Sequence, residues 1–197
     1  MIDWIKSIDQ YILLLINGAH TPLLDNLMWW ISRTTTWFPL YLLLFIIVYK
    51  KYSLKSAIWF TIIGLVAVGV TDFTATYLFK YNFMRYRPSH NLNLEGLLHF
   101  YEISPSNLYK GGQYGFISGH AANSTVIALM FIQQLRGKIR HIGPLLFIWV
   151  FIVCYSRMYL GVHYPTDILA GILWGTLLSL LFHWIYRKII NKLSDRN

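Results

Sequence analysis

Long apolar runs constrain this chain more than any other feature, because a small soluble domain cannot bury several of them. The two longest cover residues 56–79 and 164–186, and each exceeds the roughly 20 residues that a helix needs to cross a bilayer. Shorter runs cover residues 34–49, 121–135 and 142–155. Only 13% of the residues are charged, against about 25% in a typical soluble domain. The sequence therefore predicts an all-α, polytopic membrane helical bundle of about five to six spans, forming a single domain over residues 1–197.

The first 33 residues have a different pattern. Two short amphipathic pieces are separated by a break at residues 17–22, where glycine and proline occur. Each piece is too short to cross a bilayer, and their tryptophans favour the membrane interface. We predict two helices that lie along the membrane surface, with one tilted span as the alternative.

The basic residues predict an orientation. The chain carries 17 Lys and Arg against 8 Asp and Glu, and most of the basic residues cluster at 50–55, 136–140 and 187–196. The positive-inside rule makes that side cytoplasmic, and no nucleic-acid motif accompanies the charge. The opposite side receives residues 80–117 and 157–163, which contain further basic residues. Basic residues there break the rule, so we expect them to bind an anionic substrate.

Three polar clusters fall on that opposite side, and they read Lys80-x6-Arg87-Pro88, Ser118-Gly119-His120 and Ser156-Arg157-x5-His163-x3-Asp167. In the third cluster, His163 and Asp167 are four residues apart, so the carboxylate can hold the second nitrogen of the imidazole. A histidine oriented by a carboxylate beside a guanidinium is a nucleophile or a base beside an anion site. The alternative is a helix N-terminus with a capping aspartate and an interfacial arginine.

The three clusters together resemble the signature K-x6-RP, PSGH and SR-x5-H-x3-D of the type 2 phosphatidic acid phosphatase (PAP2) superfamily. The resemblance covers residues 80–167 by motif, and it departs from the signature at Ile117, where proline is usual. It implies a helical membrane fold and a phosphatase that uses no cofactor and no metal. It also makes His163 the nucleophile that forms a phospho-histidine. Asp167 then fixes the tautomer of His163, and His120 protonates the leaving oxygen before it activates water.

The remaining motif residues suit a phosphate dianion. Lys80, Arg87 and Arg157 supply positive charge for a transition state whose negative charge is spread over three oxygens. Ser118 and the backbone N–H of Gly119 open a helix, where donors point towards an anion. We therefore predict phosphate binding by these five residues.

The function predicted is a membrane lipid phosphatase that hydrolyses a lipid-linked phosphate or diphosphate, of the undecaprenyl diphosphate or lipid A type. The resemblance leaves phosphatidylglycerophosphate and phosphatidic acid as alternative substrates. Two other classes are a vanadium haloperoxidase, which would be soluble, and a non-catalytic lipid-phosphate carrier. We expect a bacterial cytoplasmic membrane with the site on the outer, periplasmic face. Membrane lipids are the expected partners, and the oligomeric state is left open.

Two further features accompany the motifs. Asp72 is an acid inside an apolar run, and we expect it to be a buried hydrogen-bond or ion partner. The loop 81–116 is the only long connection, and we expect it to select the headgroup through Arg85 and Lys110. His99 and the neighbouring acids of this loop fit no strong metal-binding spacing.

Overall fold

Seven helices of eleven or more residues lie within residues 2–194, the part of the chain that this computed structural model describes. They are α1 (Ile2–Asn17), α2 (Pro22–Ser32), α3 (Phe38–Lys51), α4 (Leu54–Thr74), α5 (Gly119–Leu135), α6 (Ile142–Tyr159) and α7 (Pro165–Ser194). A 3₁₀ turn, Thr34–Trp37, joins α2 to α3. Arg196 of the predicted C-terminal basic cluster lies outside the described residues. A single domain over the whole chain stays a prediction.

Three helical stretches in the described residues are long and apolar enough to cross a membrane, namely Leu54–Phe83, Ile142–Tyr159 and Pro165–Leu193. A fourth is possible if Pro22–Ser32 and Thr34–Lys51, which meet at a bend of 73°, form one broken span. Large apolar side chains such as Leu65, Phe151 and Leu173 point outward and are exposed, as lipid-facing residues are. The predicted all-α membrane bundle is therefore what the chain forms, but the described residues contain three or four candidate spans where about five to six were predicted, because shorter helices such as α5 fall below the length needed to cross a bilayer.

Helix α5 lies at the centre of the bundle, against α4, α6 and α7. Small residues on its first turns allow α7 to approach closely. A Cβ added at Gly171 of α7 would lie 2.6 Å from the carbonyl oxygen of Ser118, and one at Gly175 would overlap the carbonyl oxygen of Ala122. Only glycine permits this crossing, which places the start of α5 directly beside the start of α7.

Helix α4 does not end at Thr74. It continues through a π-helical turn, Ala75–Lys80, and a last short turn, Tyr81–Phe83. π-Helical turns are often found at functional sites, and this one ends on Lys80. The outer loop then follows, with 3₁₀ turns at Pro88–His90 and Leu92–Leu94 and an antiparallel pair of short strands, β1 (Glu102–Ser104) and β2 (Asn107–Leu108).

The N-terminal segment (residues 2–33) packs on the same end of the bundle as this loop. Leu13 of α1 is fully buried with Tyr164, and Met28 of α2 packs against Tyr159. Trp29 stacks on Tyr101 of the loop, with 4.8 Å between the ring centroids. The segment therefore braces the junction between α6 and α7. Its position along the membrane surface stays a prediction.

Candidate active site

The three motif clusters converge on one cavity of about 290 Å³. The residues predicted from the sequence that line it are Lys80, Arg87, Gly119, His120 and His163. Each motif reaches the cavity from the end of a different helix. Lys80 lies at the end of the α4 extension, His120 in the first turn of α5, and His163 in the connection between α6 and α7.

Ser118, Arg157 and Asp167 stand directly behind these lining residues, and all three are buried. Ser118 is the N-cap of α5, and its Oγ accepts a hydrogen bond from the N–H of Ala121. Its own N–H donates to the carbonyl oxygen of Asp167 at 3.0 Å. The second and third motifs are thus joined through the backbone at the helix crossing. The departure from the signature, Ile117, is fully buried beside them.

The two ring nitrogens of His163 face different groups. Its Nδ1 lies 3.5 Å from Oδ2 of Asp167, too long for a good hydrogen bond, and has no other partner among the described residues. The same Oδ2 accepts a hydrogen bond of 3.0 Å from the N–H of Tyr164. Nε2 of His163 points the other way, 3.3 Å from Nη1 of Arg87. Nε2 is therefore the nitrogen that can meet a phosphate held by the guanidinium.

Burial and the nearby guanidiniums of Arg87 and Arg157 lower the pKa of His163 well below its usual range. Burial, together with the charge of Arg157, lowers the pKa of Arg87 to about 10. At neutral pH the imidazole is therefore unprotonated while Arg87 keeps its charge. A neutral nucleophile beside a fixed cation is the state that attack on a phosphate dianion requires.

Glycines of the outer loop allow the backbone to wrap around Arg87. Gly111 has a φ of +65°, and a Cβ there would lie 2.8 Å from Nη1 of Arg87. A Cβ at Gly115 would lie 3.1 Å from Cγ of Arg87 and 3.0 Å from Oδ2 of Asp167. Nε of Arg87 donates to the carbonyl oxygen of Tyr114 at 3.1 Å. The loop thus fixes the guanidinium in place, in addition to covering the site.

Arg157 is held by residues that the motif analysis did not identify. Its Nη2 donates to Oη of Tyr109 at 2.9 Å, and its Nη1 donates to Oγ of Ser32. Ser32 lies at the end of α2, so the N-terminal segment reaches the phosphate site. No sequence signal distinguishes this serine from any other residue at a helix end.

Two loop residues were expected to contact the headgroup. Arg85, expected at the headgroup, forms ion pairs with Asp9 at 2.6 Å and with Asp167 at 2.8 Å. Lys110 lies over the ring of Phe100, 5.5 Å from its centroid. An arginine with two carboxylate partners has few donors left for a substrate. The headgroup role predicted for Arg85 is therefore not supported by its contacts.

Asp72 was expected to be buried, but its side chain is exposed and lines the cavity. Its Oδ1 accepts a hydrogen bond of 2.7 Å from Nδ2 of Asn123, so the hydrogen-bond partner that was expected does exist. Oδ1 of Asn123 is buried and has no hydrogen-bond partner in the described part of the chain. The cavity thus contains hydrogen-bond acceptors at its membrane side as well as cations at its phosphate end.

His20, Asp25 and His99 are the one group among the described residues whose ligand atoms come close enough for a metal ion, within 4.8 Å of one another. The two imidazole rings are stacked 3.8 Å apart and nearly parallel. A metal binds in the plane of an imidazole ring, and one ion cannot lie in two parallel planes. Nε2 of His99 instead lies 2.9 Å from Oδ2 of Asp25. This arrangement ties α2 to the loop.

Comparison with known proteins places this geometry in a family. Residues 60–191 match the model of the PAP2 superfamily. The chain belongs to the PAP2 superfamily. The predicted PAP2 resemblance is therefore confirmed, and the three motif clusters all lie within the matched region.

Three relatives of this PAP2 protein match along most of its length. The lipid A 4'-phosphatase of Porphyromonas gingivalis is 34% identical, with 94% of this chain and 74% of the relative covered. That of Bacteroides thetaiotaomicron is 31% identical, with 99% and 84% covered. The undecaprenyl-diphosphatase of Sulfolobus acidocaldarius is 30% identical, with 85% and 73% covered. The prediction of a membrane lipid phosphatase is confirmed by these relatives.

A solved structure gives the same fold. The transmembrane PAP2-type phosphatidylglycerolphosphate phosphatase of Bacillus subtilis superposes with a TM-score of 0.68, over 94% of this chain and 87% of that chain, at 21% identity. The helical membrane architecture predicted from the apolar runs is confirmed by this match. The N-terminal segment lies outside the residues that the PAP2 model matches.

Proposed function

We propose that this PAP2 protein hydrolyses the phosphate monoester of a lipid A-type glycolipid through a phospho-histidine on His163. The observation that carries the chemistry is the placement of Nε2 of His163 beside Nη1 of Arg87 in the cavity. The two relatives named lipid A 4'-phosphatase, which match almost the whole chain, support the choice of substrate.

The reaction has two steps. Nε2 of His163 attacks phosphorus, and the bond from phosphorus to the sugar oxygen breaks while His120, kept as the imidazolium by the bound phosphate dianion, gives its proton to that oxygen. His120 then takes a proton from water, the water oxygen attacks phosphorus, and the N–P bond breaks to release inorganic phosphate. Asp167 orients His163 through Nδ1 in both steps.

The negative charge that develops on the phosphoryl oxygens is stabilised by fixed cations. Lys80, Arg87 and Arg157 surround the phosphate end of the site, and the N–H groups at the start of α5 add helix-terminal donors. Preorganised donors of this kind contribute about 3–4 kcal/mol each in other enzymes. Because these side chains take the part that Mg²⁺ plays elsewhere, we expect turnover to persist in a chelator. Complete loss in chelator with rescue by Mg²⁺ would contradict this mechanism.

The cavity has a route for lipid chains. Thr34, Val68 and Ile127 line both the active-site cavity and an apolar groove of about 270 Å³ between α3, α4 and α5. The groove is otherwise lined by apolar and aromatic side chains such as Phe45 and Phe131. A lipid can therefore keep its chains at membrane depth while its phosphate reaches His163.

The acceptors at the membrane side of the cavity favour a sugar over a prenyl chain. Asp72 faces the cavity, and the buried Oδ1 of Asn123 has no partner within residues 2–194. Lipid A presents hydroxyl and amide N–H donors beside its phosphate, whereas undecaprenyl diphosphate has only hydrocarbon beyond its phosphates. A ligand with donors satisfies acceptors that are otherwise costly to bury. Undecaprenyl diphosphate is the second candidate.

The test is phosphate release by the purified protein from mixed micelles of lipid A, undecaprenyl diphosphate, phosphatidylglycerophosphate or phosphatidic acid. We expect kcat/KM to be at least about tenfold higher for lipid A. Asp72→Asn should lower the lipid A rate about tenfold, the loss of one hydrogen bond to a charged group, and leave the diphosphate rate within about twofold. The control, Glu95→Gln on the exposed loop, should change neither. A higher kcat/KM for undecaprenyl diphosphate than for lipid A would make undecaprenyl diphosphate the preferred substrate candidate.

We also propose a bacterial cytoplasmic membrane with the site on its outer face. The basic clusters at 50–55, 136–140 and 187–196 support this orientation. Asn93 is exposed on the outer loop and Asn191 is exposed near the end of α7, while the native Cys154 is buried. An impermeant thiol reagent on intact cells should label a cysteine at 93 and should label one at 191 only after lysis. The reverse pattern would place the active site in the cytoplasm.

A further inference from the structure

Asp9 of α1 is a buried acid that the proposed reaction does not use. It is 1% exposed, although it lies on a short helix next to apolar residues. Its Oδ1 accepts a hydrogen bond of 3.0 Å from the N–H of Thr166, and its Oδ2 accepts one from Oγ1 of Thr166. Nη2 of Arg85 donates to the same Oδ2 at 2.6 Å. Asp9 therefore contacts the first turn of α7 and holds one arm of Arg85.

The other terminal nitrogen of the Arg85 guanidinium, Nη1, reaches Asp167, which is proposed to orient His163. Its Nη1 donates to Oδ1 of Asp167 at 2.8 Å and to Oγ1 of Thr166 at 2.6 Å. The guanidinium lies over the ring of Tyr164, 4.3 Å from the centroid. Arg85 thus lies between two carboxylates and contacts an aromatic ring.

The two oxygens of Asp167 are consequently divided between two tasks. Oδ1 accepts from Arg85, while Oδ2 faces Nδ1 of His163 and accepts from the N–H of Tyr164. The direction of Oδ2 depends on where Oδ1 is held. Because Nδ1 and Oδ2 are 3.5 Å apart in this structure, a small rotation of the carboxylate decides whether they form a hydrogen bond.

We propose that Asp9 is a positioning residue for His163, acting through Arg85 and Asp167. With the Asp9 carboxylate present, the charge of Arg85 is shared between two acids. Without it, Arg85 pairs with Asp167 alone and draws that carboxylate away from Nδ1 of His163. The imidazole then loses its orienting partner and the stabilisation of the positive charge that it acquires on attack. The proposal rests on the nucleophile assigned above, and it does not depend on which lipid is the substrate.

The competing explanation is that Asp9 merely ties α1 to α7. If Asp9 only holds α1 against α7, Asp9→Asn should lower stability. It should also lower activity by the same factor in the wild-type protein and in the Asp167→Asn variant. A positioning residue acts only while Asp167 is present to be positioned. A double-mutant cycle separates the two cases, because residues that act as one unit are not additive.

The experiment compares Asp9→Asn, Asp167→Asn and the double variant on the best substrate of the panel. Asp9→Asn keeps the shape of the side chain and can still accept from the N–H of Thr166, so the fold should survive. We expect kcat to fall about 10–100-fold with KM within about twofold, and we expect less than about a threefold further loss in the Asp167→Asn background. Asp3→Asn is the matched control, because Asp3 lies on the same helix with its side chain 96% exposed, and it should have no effect.

Equal losses in both backgrounds, or an Asp9→Asn enzyme with unchanged kcat, would overturn the proposal. If Asp9→Asn loses its folded state, judged by thermal melting in detergent, Arg85→Lys gives the same cycle. Lysine cannot bridge two carboxylates as a guanidinium does, so it should lower kcat in the wild-type background and not in the Asp167→Asn background. A fully active Asp167→Asn enzyme would instead contradict the proposed mechanism. The experiment therefore distinguishes a failure of the positioning role of Asp9 from a failure of the mechanism.

Discussion

The motif region (residues 80–167) and the N-terminal segment both place buried polar groups around one cavity, but with different chemistry. The motif region contributes residues that carry charge or are proposed to react, such as Arg87, Arg157 and His163, and all three are nearly fully buried. The N-terminal segment contributes supporting groups: Ser32 contacts Arg157, Asn17 contacts the backbone of Tyr159 and His99, and both are equally buried. A group that reacts must be a particular residue type, because its chemistry is needed. A supporting group need only place a hydrogen-bond donor or acceptor at the correct position, so several residue types can serve.

The contacts of Asn17 illustrate the supporting role. Its Nδ2 donates to the carbonyl oxygens of Tyr159 at 2.7 Å and His99 at 2.8 Å, and its Oδ1 accepts from the N–H of His99. Gly161, with a φ of +69°, lies close enough that a Cβ there would be 3.4 Å from Nδ2 of Asn17. One amide thus joins the N-terminal segment, the outer loop and the turn that leads to His163.

The comparison is tested most strongly by removing His163, the proposed nucleophile. His163→Ala should lower kcat by about 10³-fold or more, because no N–P bond can form. His141→Ala, an exposed histidine on the far side of the bundle, should keep wild-type activity. Phosphate release with each variant gives the answer. If His163→Ala kept more than about a tenth of the rate, a loss under about 1.4 kcal/mol, the nucleophile would lie elsewhere.

A second test concerns how the motif region is held together. Gly175→Ala should destabilise the fold by about 2–3 kcal/mol, because the new Cβ overlaps the Ala122 carbonyl at the helix crossing. Gly64→Ala is the control, since a Cβ at Gly64 meets nothing within 4 Å, and alanine should stabilise that helix slightly. Thermal melting in detergent compares the two. Equal melting temperatures would mean that the crossing is looser than described.

A third test removes a support of the N-terminal segment. Asn17→Ala should cost about 2–3 kcal/mol of stability, because it leaves the carbonyl oxygens of Tyr159 and His99 without their donor. Asn93→Ala, at an exposed loop position, should leave the melting temperature unchanged. A stable Asn17→Ala protein would show that the N-terminal segment is not anchored through this amide.

The smallest effect is expected at Ser32. Ser32→Ala removes the hydroxyl that accepts from Nη1 of Arg157, so the guanidinium is held by Tyr109 alone on that side. We expect kcat/KM to fall about tenfold, the worth of one hydrogen bond to a charged group. Ser7→Ala, on the exposed side of α1, is the matched control. A loss as large as that of His163→Ala would erase the distinction between reacting and supporting residues.

Several features of the protein could be predicted from the sequence. Apolar runs longer than a bilayer is thick predict membrane helices, because the backbone in lipid must satisfy its own hydrogen bonds. The three motifs predicted the residues that meet in the cavity, such as Lys80, His120 and His163. Both signals are local in the sequence. An apolar run is a continuous stretch of residues, and each motif consists of particular residue types at a spacing that one turn or one helix end determines.

The tertiary structure alone decided what supports those residues. Asp9 and Thr166 are 157 residues apart in the chain, and Ser32 and Arg157 are 125 apart, yet each pair shares a hydrogen bond. No periodicity links such positions, because any element that passes nearby can supply the partner. The headgroup role was assigned to Arg85 for the same reason. Its charge was visible in the sequence, but the two carboxylates with which it forms ion pairs come from α1 and α7. Which cation is free for substrate depends on where distant acids lie, and only the packing of the helices sets that.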